Sequence, residues 1–238
     1  MLAPIEDIAK TLKDFFILYK PKDIVSGDFY YYAVAGDKII IAVADCTGHG
    51  VPGAFMSMIG NDALNEIILE KKCIEPGDIL SNLHDGVRKA LKQDTSKTQT
   101  ADGMDIALCA LDLKSNILEY AGALRNLYIS RGQNNLLEEI KANKQSIGGV
   151  KSDIKKIFTN NTIQLNKGDA FYIFSDGYAD QFGGAEGKKF MIKRLKDTLM
   201  EIQNNTMPEQ ETILNNTIDV WKGSTEQVDD ILVVGVRI

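Results

Sequence analysis

The chain has 238 residues, 44% hydrophobic and 25% charged, with a formal net charge of -6. That length supports one large domain or two small ones with a sizeable core, and the acidic balance argues against a nucleic-acid partner, whose phosphates call for a basic face. No apolar run is long enough to span a bilayer, and MLAPIEDIAK lacks the basic-then-apolar order of a signal peptide, so no membrane contact is expected. Cys46, Cys73 and Cys109 have no metal-ligand spacing, which argues against a disulfide framework or a zinc site. A reduced, cytoplasmic setting is the simple reading. His49 and His84 are too few for a His-rich site, so a metal would have to use carboxylates.

In chain order, IEDIAKTLKDFF (5–16) has helical spacing, and FFILYK reads as a strand ending at Pro21. Residues 28–45 read as a hairpin turning at Gly36-Asp37. Pro52 suits the first turn of a helix running to about Lys71, with Phe55, Met56, Ile59, Ala63, Ile67 and Ile68 on its apolar face. A second helix is expected over about 77–92, then a polar loop, QDTSKTQTADG. Short β-rich runs follow: MDIALCALDL, NILEYAGA, NLYISR, LLEEIK, IFTNNTIQL and DAFYIFSD. GYADQFGGAEGKK reads as a Gly-rich loop, then helices at about 188–203 and 208–221, and DDILVVGVRI as a buried strand. No repeat or linker interrupts this order, so one domain is favoured. Strands joined by short turns and helices in pairs predict an α+β fold, a four-layer αββα sandwich with two antiparallel sheets inside.

Gly48-His49-Gly50-Val51-Pro52-Gly53 spells G-x-G-x-x-G. A dinucleotide site would need a following parallel strand and an acidic residue about 20 positions on. Glu66 and Glu70 stand there instead, inside a helix that a second helix follows, so that reading fails.

The aspartates are more informative. Asp45 closes IIIAVAD, Asp28 opens the first hairpin strand, Asp176 closes FYIFSD, and Asp229 precedes the last strand. Any one of them would serve as a turn residue, since Asp bonds its own backbone. Four together, each at the end of an apolar strand, suit a hard-cation site for magnesium or manganese.

SGDFY, ADCTGHGVPGA, FSDGYAD and EQVDDILVVGVR, in that order, resemble the metal-dependent protein phosphatase (PPM) family, most closely the branch typified by the stage II sporulation protein E phosphatase domain. The resemblance covers about residues 20–238 as the phosphatase domain. Residues 1–19 are left as an N-terminal helix and lead-in, of the kind that ends a linker from an upstream sensor. It implies an αββα sandwich and a serine/threonine phosphatase using two Mn²⁺ or Mg²⁺ ions, with water attacking from between them. Asp45 matches the aspartate that bridges the ions, and Cys46 the next residue, which offers its backbone carbonyl. Asp176 and Asp229 match further metal carboxylates, and Asp28 the aspartate that holds metal-bound water. Asp230 takes a secondary position. A third ion would use Asp180 with Asp102 as partner, although a surface loop explains both residues equally well.

The sequence departs from the eukaryotic branch in two places. The histidine two residues after the bridging aspartate is missing. His49, four after Asp45, either protonates the leaving group or caps the following helix. No arginine closely precedes Asp28 to hold phosphate, leaving Lys20 or Lys22 as substitutes unless they are simply solvated. The implied substrate is a phosphorylated regulatory protein of the anti-sigma-factor-antagonist type. The alternative is a catalytically weak or inactive member of the fold that acts as a regulated binding module.

Overall fold

The computed structural model describes residues 2–93, 102–132, 136–149 and 156–238. Most of the expected polar loop after residue 92 falls outside them.

The strand β3 (Lys38–Cys46) shows how the chain divides its side chains. Pleating sends Ile39, Ile41 and Val43 to one face and Ile40, Ala42 and Ala44 to the other. Both faces are buried, which explains the near-continuous apolar run. Beside it lie β2 (Phe29–Ala35), β4 (Gly103–Asp112), β5 (Ile117–Ala123) and β9 (Asn161–Gln164), in the order β2-β3-β4-β5-β9, with β8 (Ile147–Gly148) against the start of β4. The second sheet has the order β1-β13-β10-β6-β7, from β1 (Phe15–Lys20), β13 (Ile231–Arg237), β10 (Ala170–Phe174), β6 (Leu127–Ser130) and β7 (Leu137–Ile140). Neighbouring strands in both sheets run antiparallel.

Three cores separate four layers. Ile41, Val43, Cys109 and Leu111 share the middle core with Phe171, Ile173, Leu232 and Val234 of the opposite sheet. Outside the first sheet, α2 (Gly50–Asn65) and α3 (Pro76–Ala90) bury Leu64, Ile79, Leu80, Leu83 and Val87. Outside the second, α5 (Ile192–Glu201) and α6 (Met207–Lys222) bury Leu195, Leu199, Leu214 and Ile218. This is the expected αββα sandwich. The start of α6 carries a complete capping box between Thr206 and Glu209.

The local departures have physical reasons. The first helix, α1 (Ile5–Thr11), stops before the expected residue 16 because Phe16 and Leu18 must alternate with Ile17 and Tyr19 between two cores, a period-two demand. The expected boundary at 19/20 falls inside β1, which pairs along its length with β13, so α1 and β1 are integral to the sandwich. The last turn of α2 widens into a π-type turn at Glu66–Glu70. The Gly-rich stretch contains a helical turn, α4 (Gly177–Asp180), and a small ribbon pairing β11 (Phe182–Gly183) with β12 (Lys188–Lys189). That pairing delays α5 from the expected 188 to Ile192. All three cysteines are free. Among the described residues no helix is long and apolar enough to cross a membrane.

Candidate active site

The aspartates gather at one end of the middle layer. Asp45 is in step with Ile39, Ile41 and Val43, and so continues the face turned towards the second sheet. Its partner across the ladder is Asp105 of β4, in step with Ala107, Cys109 and Leu111 on the same face. Asp28 precedes β2 in step with Tyr30, another residue of that core. From the opposite sheet come Asp176, just past β10, and Asp229 and Asp230, just before β13. Gly177 permits this closure: a Cβ there would overlap the Asp230 carbonyl oxygen.

Arg125 lies among these acids. Its Nη2 donates to Asp45 Oδ2 and to Asp176 Oδ2, each at 2.7 Å, and stands 3.3 Å from Asp105 Oδ2. Burial alone would lower the arginine's pKa, but the three carboxylates together raise it. The acids are shifted the other way. Burial, then the neighbouring charge of Asp45, pushes Asp28 up to about 9 against an opposing hydrogen bond from Ser175. Burial lifts Asp45 to about 7, outweighing the pull of Arg125, with Asp176 and Asp229 adding repulsion. Asp105 and Asp229 are also raised, chiefly by burial. One arginine therefore does not neutralise the cluster. Asp28 Oδ2 is buried with no hydrogen-bond partner, a costly state for a carboxylate.

Among the described residues, no three acidic, His or Cys side chains stand ready to hold an ion as they lie; Arg125 takes the facing oxygens. The donor chemistry nevertheless fits a divalent cation, with hard carboxylate oxygens from both sheets, an excess of negative charge and an orphaned oxygen on Asp28. A small cleft of about 110 Å³ opens beside Asp45 and Asp105, bounded also by Thr47 and Ser146. The Cys46 side chain turns into the helix-side core, leaving only its backbone to face the site.

The glycines serve packing. Gly48 and Gly50 have positive φ (82° and 63°), and a Cβ on Gly53 would collide with the Gly48 carbonyl oxygen and, at 2.8 Å, with the Gly27 Cα. Three backbones meet here: the loop after β3, the start of α2 and the segment before β2. Asp230, almost fully buried, completes the joint by accepting from Lys22 N at 2.7 Å and Gly27 N at 2.8 Å.

Several expected residues do something else. His49 occupies the N-cap position of α2 but makes no side-chain cap bond. Its Nδ1 lies 3.0 Å from Asp23 Oδ2 and its Nε2 3.2 Å from Lys22 Nζ, because the 22–25 loop folds over the helix start. Lys20 is drawn to α6, donating to Asn215 and Asp219 at 2.8 and 2.7 Å, away from the carboxylates. Lys22 stays on the rim of the site. Asp180 pairs with Lys189 at 2.7 Å, whereas Asp102 takes a long bond from Thr47 at 3.5 Å, so the suggested third-ion pair has two different sets of partners.

Sequence reasoning missed Asp105 and Arg125. Asp105 had a signal, an acid on the apolar face of a strand. Arg125 had none, since an arginine in a short turn is solvated by default.

A sequence model of the family described as stage II sporulation protein E (SpoIIE) matches residues 35–238. The phosphoserine phosphatase RsbU of Bacillus subtilis (strain 168) is 28% identical over 215 residues, 82% of this chain and 60% of that protein. The chain thus spans about 60% of that relative's length. Among solved structures, the SiaA-PP2C domain of Pseudomonas aeruginosa is 33% identical with a TM-score of 0.88, covering 99% of this chain and 90% of that one. The PP2C phosphatase domain of SpoIIE from Bacillus subtilis, solved with a fragment of its regulatory domain, shares the fold at 22% identity and TM-score 0.73, over 94% of this chain and 63% of that one. With the family model matched over most of both sheets and across the motifs that hold Asp45, Asp176 and Asp229, the chain belongs to the stage II sporulation protein E family, a bacterial branch of the PPM protein phosphatases.

Proposed function

We propose that the chain is a metal-dependent serine/threonine phosphoprotein phosphatase whose substrate is a bacterial regulatory protein of the anti-sigma-factor-antagonist type. One observation carries the reading: Asp28, Asp45, Asp176 and Asp229, far apart in the chain, form one acidic cluster in which Asp28 Oδ2 is buried without a partner. Asp45, Asp176 and Asp229 would hold two Mn²⁺ or Mg²⁺ ions together with the Cys46 carbonyl, with Asp28 and Asp105 completing the acidic lining. Divalent ions supply Lewis acidity and charge neutralisation for phosphomonoester hydrolysis. Asp230 fixes the backbone that carries Asp28. His49 faces Asp23 and Lys22 at the start of α2, and to serve a leaving serine or threonine oxygen as proton donor its ring would first have to release Lys22. A cytoplasmic setting and control by an upstream sensor belong to the same reading.

The test is turnover of p-nitrophenyl phosphate and of a phosphoserine peptide by chelator-treated protein, with and without Mn²⁺. Activity should require the metal, and Asp45→Asn or Asp176→Asn should each lower it at least about 100-fold with the circular dichroism spectrum retained. Metal-independent turnover, or turnover that survives the loss of Asp45, would reject the assignment. Peptide binding without turnover would instead favour the binding-module reading.

A further inference from the structure

Arg125 is held in place by more than its carboxylates. The Tyr120 hydroxyl donates to the Arg125 carbonyl at 2.6 Å, the Arg125 amide to the Ala123 carbonyl at 2.8 Å, and the Leu124 amide to the Asn143 carbonyl at 3.0 Å. Leu124 has a φ of 61°, a left-handed conformation that a leucine adopts only at an energetic cost. The turn between β5 and β6 is thus pinned in a strained shape that points Arg125 inward. The side chain is mostly buried, and its Nε has no hydrogen-bond partner. A guanidinium placed for stability alone would satisfy its donors; here Nη2 alone serves three acids.

We propose that Arg125 is a built-in competitor for the divalent ion. It pairs with Asp45, Asp105 and Asp176 through the same oxygens a cation would take, and it must yield Asp45 and Asp176 for the ion to bind. The inference rests on the metal-dependent reading above. Two positive charges cannot share those oxygens at contact distance without strong repulsion. The ion's affinity is therefore set by the difference between its own attraction and that of the arginine. Because the turn is pinned at its backbone, the exchange takes place by swinging the side chain, which leaves the guanidinium at the edge of the site.

Calorimetric titration of Mn²⁺ into the chelator-treated full chain tests this, comparing the wild type with Arg125→Met and Arg125→Lys. Arg125→Met should bind Mn²⁺ about tenfold more tightly and should melt lower than the wild type before metal is added and close to it afterwards. Arg125→Lys, which keeps the charge but not the fork, should fall between them and serves if the methionine variant does not fold. An independent readout is the Arg125 Nε–H resonance, which should shift on adding diamagnetic Mg²⁺. Unchanged or weaker Mn²⁺ binding by the variants, with normal binding by the wild type, would overturn the competition while leaving the phosphatase reading intact. No binding by any of the proteins would remove both.

Discussion

Asp28 and Asp45 sit where a carboxylate is hard to ionise, and the sign of the effect on stability follows. Burial holds them to about 9 and about 7, far above the unfolded value of roughly 4. Between those limits the native state binds more protons than the unfolded chain, so stability falls as pH rises. Protein treated with chelator should melt at progressively lower temperature from about pH 5 to about pH 9, and Asp28→Asn should make that slope shallower. Added Mn²⁺ should raise the melting temperature most at the alkaline end, where the acids have lost their protons. Melting temperatures measured across this range, with and without metal, check it. A flat profile in both proteins would mean that these acids ionise freely. Asp230, as buried as Asp28, accepts backbone N–H groups from Lys22 and Gly27. Neighbouring aspartates thus divide into one that secures the backbone and others that carry excess charge.

At the scale of elements, the joint of β3, α2 and the 22–28 segment governs the site. It relies on backbones too close to admit a side chain at Gly53. Gly53→Ala should therefore cost at least about 2 kcal/mol, although alanine is the better helix former. It should lower the melting temperature by several degrees and reduce turnover by moving Asp45 relative to Asp28. A thermal melt and a turnover assay suffice, and a neutral or stabilised variant would show that the loop can relax away from α2. The same joint explains why the G-x-G-x-x-G string misleads. Its glycines satisfy contacts among three protein backbones, and spacing alone cannot distinguish that need from room for a pyrophosphate. His49 follows the same logic: its place at the helix start suggested a cap, but the folded-back 22–25 loop supplied Asp23 and Lys22 as partners.

For the whole molecule, the site spans the two sheets. Asp28, Asp45 and Asp105 belong to one, and Asp176, Asp229 and Asp230 extend from strands of the other. A bound ion would couple the sheets at that end only. Hydrogen exchange should therefore slow about tenfold with saturating Mn²⁺ at amides near Cys46, Met104, Ser175 and Leu232. The distant hairpin turn at Gly36 should be unaffected. Uniform protection, or protection in one sheet alone, would contradict a site built across the layers. By itself, the sequence determined the layer order, because period-two strands buried on both faces and paired amphipathic helices leave few ways to cover two sheets. It also marked four of the acids, because an aspartate at the end of an apolar strand is conspicuous. Only tertiary structure decided that Asp105 stands across the ladder from Asp45, that Lys20 leaves for α6, and that Arg125 reaches three carboxylates. Strand register and long-range charge pairing arise between segments distant in the chain, and no local pattern of residues encodes which of them will meet.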